Sequence, residues 1–190
     1  MEIGKFLEIM DLAENLKNNT RHSWTSAGRR ESVAEHSWRL VLMAYFVKDE
    51  FPEADMDKVL KMCLFHDMGE AFTGDIPAFL KTEGDEQTEE AQIQKWLSTL
   101  PAPYRTELEE LFAEMSALAT TEARIYKALD KMEALIQHNE ADISTWLPLE
   151  YELQMTYGTK EVQFSAYMQA LKKEVNRISQ EKIDAKEKEG

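Results

Sequence analysis

The chain has little cysteine, little glycine or proline, few histidines and a shortage of positive charge. Each shortage narrows what it does. The one cysteine, Cys63, cannot close an internal disulfide, and its place in an apolar run reads as a small core residue. No stretch of about 18 apolar residues occurs, so no membrane-spanning helix is expected. The start, Met1-Glu2-Ile3-Gly4-Lys5-Phe6, lacks a charged-then-apolar signal region; a cytoplasmic location is the default expectation. Lys and Arg number 22 against 36 Asp and Glu, a formal net charge of −14. That argues against a binder of duplex nucleic acid, which needs a basic stripe. A small phosphorylated ligand is compatible, because it needs only a local cationic patch.

What is present suits a soluble globular chain: 190 residues, 43% hydrophobic and 31% charged, enough for one domain with a substantial core. Strand-like alternation is scarce and helical spacing recurs almost everywhere, which predicts an all-α fold. A first helix is expected over 3–17, with Phe6, Leu7, Met10, Ala13 and Leu16 on its apolar side. Residues 18–31 read as irregular. Ser32, with Glu35 three positions on, forms a capping-box pattern that starts a second helix. On that helix His36, Leu40, Met43, Ala44 and Val47 share a face, so His36 points inward. A third helix from Asp55 is apolar nearly all round and reads as central and buried. Residues 80–90, acidic and polar, read as a surface loop, with helices at 88–99 and 103–116 after it. A helix over 120–139 carries the stripe Ile125, Leu129, Met132, Leu135, Ile136, with Asp130 beside it. Segments 142–156 and 160–183 are again helical. Residues 1–183 are expected to form a single domain, with a frayed charged tail over 184–190.

His66-Asp67 ends the apolar stretch from Val59 to Phe65. Burying such a pair is costly unless something compensates it, and a divalent metal is one such partner. With His36 and Asp130 it makes four candidate ligands on three helices. Imidazole nitrogen and carboxylate oxygen together suit Zn, Mn, Fe, Co or Ni. The plainer alternative is that each is a lone polar residue satisfied in the core, and spacing alone does not decide between them.

A histidine, a His-Asp pair about thirty residues later and a distant Asp on a helix resemble the HD superfamily of metal-dependent phosphohydrolases. The segments Glu35-His36-Ser37, His66-Asp67-Met68-Gly69-Glu70, Gly74-Asp75-Ile76-Pro77 and Leu129-Asp130-Lys131-Met132-Glu133 resemble, in this order, the compact 5′-deoxynucleotidase branch. The resemblance covers residues 5–155. It implies a compact HD-domain helical bundle and one divalent transition metal on His36, His66, Asp67 and Asp130. Only His22 and His138 remain for further metal binding, which favours a mononuclear site. The resemblance also implies that Glu70 and Asp75 manage a water and its protons. Glu133 and Gln137, one and two turns past Asp130, are candidates to line the pocket or support the ligands.

From Asn15 to Arg30 there is no acid, while Lys17, Arg21, Arg29 and Arg30 are present. Arginine's planar fork matches phosphate oxygens; a basic surface loop is the bland alternative. In the resembled branch an Arg closely followed by a Trp precedes the first ligand histidine and serves phosphate and sugar, which Arg21 and Trp24 match. Two residues separate them here, where many bacterial members have none, which leaves discrimination against ribose open. The expectation is a phosphomonoester hydrolase that converts deoxyribonucleoside 5′-monophosphates to deoxynucleosides and phosphate. The alternative is a non-catalytic helical module that binds a metal or nucleotide as a sensor or meets a protein partner. Trp38, Trp96 and Trp146 read as core or interface aromatics. Helices beyond residue 140, with Trp146, Tyr151, Tyr157, Phe164 and Tyr167, serve either a homodimer or the core.

Overall fold

Three apolar helix faces that must bury one another set this architecture. The computed structural model describes residues 1–189. In chain order the elements are α1 (Ile3–Asn18), β1 (Thr20–Trp24), β2 (Arg30–Ser32), α2 (Val33–Phe46), α3 (Met56–Phe65), α4 (Glu70–Thr73), α5 (Glu83–Ser98), α6 (Ala102–Ala117), α7 (Thr121–Glu140), α8 (Glu150–Thr156) and α9 (Ala166–Glu189). α2, α3 and α7 pack mutually through Leu40 and Ala44, Val59, Met62 and Cys63, and Ile125, Leu129 and Met132, all fully buried. α9 covers the other side of α7 with Met168 and Val175. Among the described residues no helix is long and apolar enough to cross a membrane.

The all-α expectation holds, with one addition. Residues 18–31 are not irregular: β1 and β2 pair antiparallel as a hairpin, Thr20 opposite Ser32 and Trp24 opposite Arg30. The hairpin is too short and polar to show alternation, and it survives by packing on α7 and α2. Ser32 then closes the hairpin and caps α2. Its hydroxyl accepts from Glu35 N while Glu35 accepts from Ser32 N, a complete capping box.

Other differences have local causes. The acidic stretch expected as a loop is the first half of α5, started by Thr82 and Asp85 in a second capping box. α3 is not buried all round, since Leu64 is half exposed. On α1 the packed residues are Ile9, Leu12 and Leu16, whereas Phe6, Leu7 and Met10 face outward. Trp96 and Trp146 are buried as expected but Trp38 is 64% exposed. Trp146 packs inside, Phe164 stacks on Phe51, and Tyr157 accepts from Lys131, so these residues beyond 140 serve the core. α9 continues through the charged stretch to Glu189, and Gly190 lies outside the described residues.

Between α3 and α4 the helix breaks into turns over 66–69. A Cβ at Gly69 would run into the Glu89 side chain, so a larger residue there would force Glu89 to move. Gly74 ends α4 with φ 76°, left-handed backbone that favours glycine, and turns the chain so that Asp75 comes back over the core.

Removing the Ser32 hydroxyl should cost about 1 kcal/mol, since an N-cap Ser replaced by Ala loses about that much. Urea unfolding of Ser32→Ala beside the unmodified protein measures it, with a lower midpoint and an unchanged slope expected.

Candidate metal centre and active site

α2 delivers His36, the turns after α3 deliver His66 and Asp67, and α7 delivers Asp130. Their polar atoms converge. His36 Nε2 lies 3.1 Å from His66 Nε2, 3.4 Å from Asp130 Oδ1 and 3.7 Å from Asp67 Oδ2. His66 Nε2 lies 3.1 Å from Asp67 Oδ2 and 3.9 Å from Asp130 Oδ1. Donor atoms about 2.1 Å from one ion stand about 3.0–3.4 Å apart at octahedral or tetrahedral angles; His36, His66 and Asp67 lie near that spacing as one group, and Asp130 joins them through the two imidazoles.

The imidazoles are turned to suit such an ion. His36 Nδ1 bonds to Glu133 Oε2, and His66 Nδ1 donates to the Cys63 carbonyl at 2.9 Å. With the proton on Nδ1, each ring turns its Nε2 lone pair to the centre, the arrangement used by metal-binding histidines. Nothing in the apolar core requires two imidazole nitrogens to face each other at 3.1 Å. The donor set therefore fits a metal better than it fits core packing.

Charge is balanced residue by residue. Burial works against ionisation of Asp67, but His66 and His36 outweigh it and hold the carboxyl well below the ordinary range. Asp130 is likewise buried, and Lys127 at 3.0 Å and Lys131 at 3.6 Å hold it ionised. For His36, burial and the nearby Arg21 favour the neutral ring, while Glu133 and Asp130 more than offset them and raise its pKa to about 9.

Glu133 has no exposed side-chain surface. Besides His36 it meets Arg21 Nη1 at 3.2 Å and accepts from Arg39 Nε at 2.6 Å. Burial opposes its charge, and His36, Arg21 and Arg39 hold its pKa down to about 2. Arg21 also approaches Glu31 Oε2 at 3.4 Å.

Glu70 opens α4 and is 6% exposed, with Oε2 making no hydrogen bond. Burial first, then the charges of Asp67 and Asp75, push its carboxyl far above the usual range. Asp75 is raised too, by burial and Asp67 against the opposing pull of Arg21. Arg21 and Asp75 together line one side of a cavity of about 90 Å³. The site thus holds one convergent donor set, two carboxyls with raised proton affinity and a guanidinium beside them. Such a set can hold a divalent ion, bind an anion and move protons at the edge of a cleft.

The family described as HD domain matches residues 13–172. The chain belongs to the HD domain family. Human 5′-deoxynucleotidase HDDC2 is 33% identical over 138 residues, covering 70% of this chain and 67% of that protein. 5′-Deoxynucleotidase hdd1 of Schizosaccharomyces pombe is 29% identical over 167 residues, covering 77% and 83%. Among solved structures, one from Magnetospirillum magnetotacticum described as a predicted metal-dependent phosphohydrolase superposes with a TM-score of 0.74 at 25% identity, covering 92% of each chain. A conserved hypothetical protein from Pyrococcus furiosus gives 0.71 at 30% identity, covering 90% of this chain and 99% of that one.

In this HD domain the expected residues His36, His66 and Asp67 form one group, Asp130 reaches His36 at 3.4 Å and His66 at 3.9 Å, and the charges of Glu70, Asp75 and Arg21 act on the same residues. Trp24 stands apart. Its ring carries the Arg30 guanidinium at 4.4 Å, and the cavity beside Arg21 is lined by other side chains. Arg29 pairs with Glu35, so Arg21 is the member of the basic stretch that faces the donor set. Sequence reasoning missed the weight of Glu133 and the parts played by Arg39, Lys127 and Lys131. A signal existed: Glu133 continues the apolar positions Leu129, Met132 and Ile136, where an acid needs a partner.

A metal held by these four donors displaces the His36 proton whenever the pH is below about 9. Affinity should therefore rise with pH, by about tenfold per unit for one proton released. Competition titrations against a metallochromic chelator at pH 6, 7 and 8 measure that slope.

Proposed function

We propose that this chain is a metal-dependent phosphomonoesterase that hydrolyses deoxyribonucleoside 5′-monophosphates to deoxynucleosides and phosphate. The observation that carries the reading is the convergence of four metal donors beside an arginine and two carboxyls of raised proton affinity. The names of the relatives, 5′-deoxynucleotidases among them, support the substrate class. In this reading His36, His66, Asp67 and Asp130 hold one divalent transition metal, with Co, Mn, Zn, Fe and Ni all suited to the donor types. The ion supplies Lewis-acid activation of water and of a phosphoryl oxygen.

The chain's own residues do the rest. Arg21 binds two phosphate oxygens and keeps the phosphorus in line; Glu133 and Glu31 hold its guanidinium in place. Glu70 Oε2, buried and unpartnered, receives the proton of the attacking water. Its raised proton affinity suits a base, and a dication held beside it would favour the ionised carboxylate that accepts the proton. Asp75, its proton affinity raised by burial, lines the cavity and is the group placed to give a proton to the leaving 5′-oxygen. One P–O bond forms, the P–O5′ bond breaks, and the two carboxyls exchange protons with water to reset. Catalysis of this kind is mostly positioning and charge stabilisation. Trp24, whose ring carries the Arg30 guanidinium and does not line the cavity, is left outside this reading.

Residues 1–183 act as one catalytic domain followed by a charged tail, in the cytoplasm. A second copy of the chain is the partner that its surface supports. Trp38, Leu42, Tyr45 and Phe46 on α2 and Ile3, Phe6, Leu7 and Met10 on α1 leave a run of apolar side chains on two helices that touch. Such a patch marks an interaction surface, and neither duplex nucleic acid nor a membrane is called for.

Chelator-treated protein resupplied with Co, Mn or Zn should release phosphate from deoxynucleoside monophosphates, and failure with every metal and nucleotide would overturn the proposal. His66→Ala should lose metal by elemental analysis. Glu70→Gln should keep metal and lose turnover by about a hundredfold or more, the usual size of a general-base contribution.

Trp38→Lys combined with Phe46→Lys should convert a dimer to a folded monomer in light scattering. A wild-type protein that is monomeric at micromolar concentration would remove the second copy from the reading.

A further inference from the structure

The cavity of about 90 Å³ reaches beyond Arg21 and Asp75 to a polar wall that the hydrolytic steps do not use. That wall is His22 from β1, His138 from α7 and Glu150 from α8, with Phe79 beside it. Glu150 is 3% exposed. Its Oε2 accepts from Leu147 N at 2.6 Å, while Oε1 lies 3.0 Å from His22 Nε2 and 3.6 Å from His138 Nε2. His22 Nε2 makes no hydrogen bond, although the Glu150 carboxylate stands beside it. Buried polar atoms are almost always bonded, and this carboxylate with two imidazoles forms a polar cluster at the cavity wall.

The wall is held rigidly. Arg30 Nη1 donates to the His22 carbonyl, and Phe79 meets the His22 ring edge-on at 5.5 Å. Trp146 Nε1 donates to the His138 carbonyl at 3.0 Å, and its ring packs against His138 at 5.9 Å. A site fixed in advance by supporting contacts loses little on binding. Burial lowers the His138 pKa despite Glu150, so this imidazole is neutral and can accept or donate. The remaining surface includes Leu135 and Leu153, suited to the carbon face of a ring.

We propose that this cavity receives the alcohol half of the phosphoester, a furanose ring, and that Glu150 with His22 and His138 binds a ring hydroxyl. The hydroxyl donates to Glu150 Oε1 and accepts from an imidazole N–H. The size agrees: pockets for drug-sized ligands run to about 300–1,000 Å³, so this one takes a single ring and leaves the base outside. Phosphate at Arg21 and sugar in the cavity share a common border at Asp75. The inference rests on the phosphomonoesterase reading above.

Thymidine and inorganic phosphate are separate probes of the two halves. Calorimetry on the metal-loaded protein should give thymidine binding about tenfold weaker in Glu150→Gln, and the kcat/KM for dTMP should fall by a similar factor, as expected when a buried hydroxyl partner is lost. Phosphate binding, metal content and kcat/KM for para-nitrophenyl phosphate should stay unchanged. Ala78→Leu narrows the cavity while leaving the Glu150 carboxylate in place and should weaken thymidine in the same way. Unchanged thymidine binding in both variants, in a protein that hydrolyses dTMP, would overturn this inference and leave the functional reading standing. Equal losses for thymidine and phosphate would make Glu150 a structural residue and would overturn it too. A wild-type protein that hydrolyses no nucleotide would take down the functional reading, and this inference with it.

Discussion

A carboxylate without solvent contact, in the middle of a helix, survives only if positive charge surrounds it, and Glu133 is that carboxylate here. It joins α7 to α2 through His36 and Arg39 and to β1 through Arg21. Around it lie the tautomer of one candidate ligand, the position of the candidate phosphate arm and the docking of the hairpin. The apolar packing of α2, α3 and α7 brings the donors near one another. Glu133 decides which way His36 and Arg21 point once they are there.

The remaining charges follow from the same constraint. Asp67 and Asp130 stay ionised in a buried place because two imidazoles and two lysines stand around them. For Glu70 and Asp75 burial and the neighbouring carboxylates outweigh the pull of Arg21, so their proton affinity rises. Carboxyls of opposite character within one small site are what proton transfer beside a metal requires. The chain makes the difference from position alone.

Much of this was legible in the sequence. The capping box at Ser32 and Glu35, the inward face of α2 and the stripe of α7 all follow from periodicity and cap chemistry, and they place His36 and Asp130 correctly. His66-Asp67 was conspicuous because two costly residues ended an apolar run. The hairpin was not legible, since five and three residues with one bulge give no alternation to read. The start of α5 was hidden by its acidity, although Thr82 and Asp85 carried the same capping pattern as Ser32 and Glu35. The outward turn of Phe6, Leu7 and Met10 was hidden because apolar residues run around most of α1, and only its neighbours select the buried face. Glu133 was visible as a residue and not as a hub, because its partners come from 94 to 112 positions away.

The shared carboxylate has a thermodynamic consequence. Under the proposed function, a cation held by His36 would strengthen the bond from Nδ1 to Glu133, and an anion at Arg21 would share the guanidinium with the same Glu133. The two binding events therefore act on one group and are linked, and linkage between sites is reciprocal. Whatever factor the ion contributes to anion affinity, the anion returns to the ion.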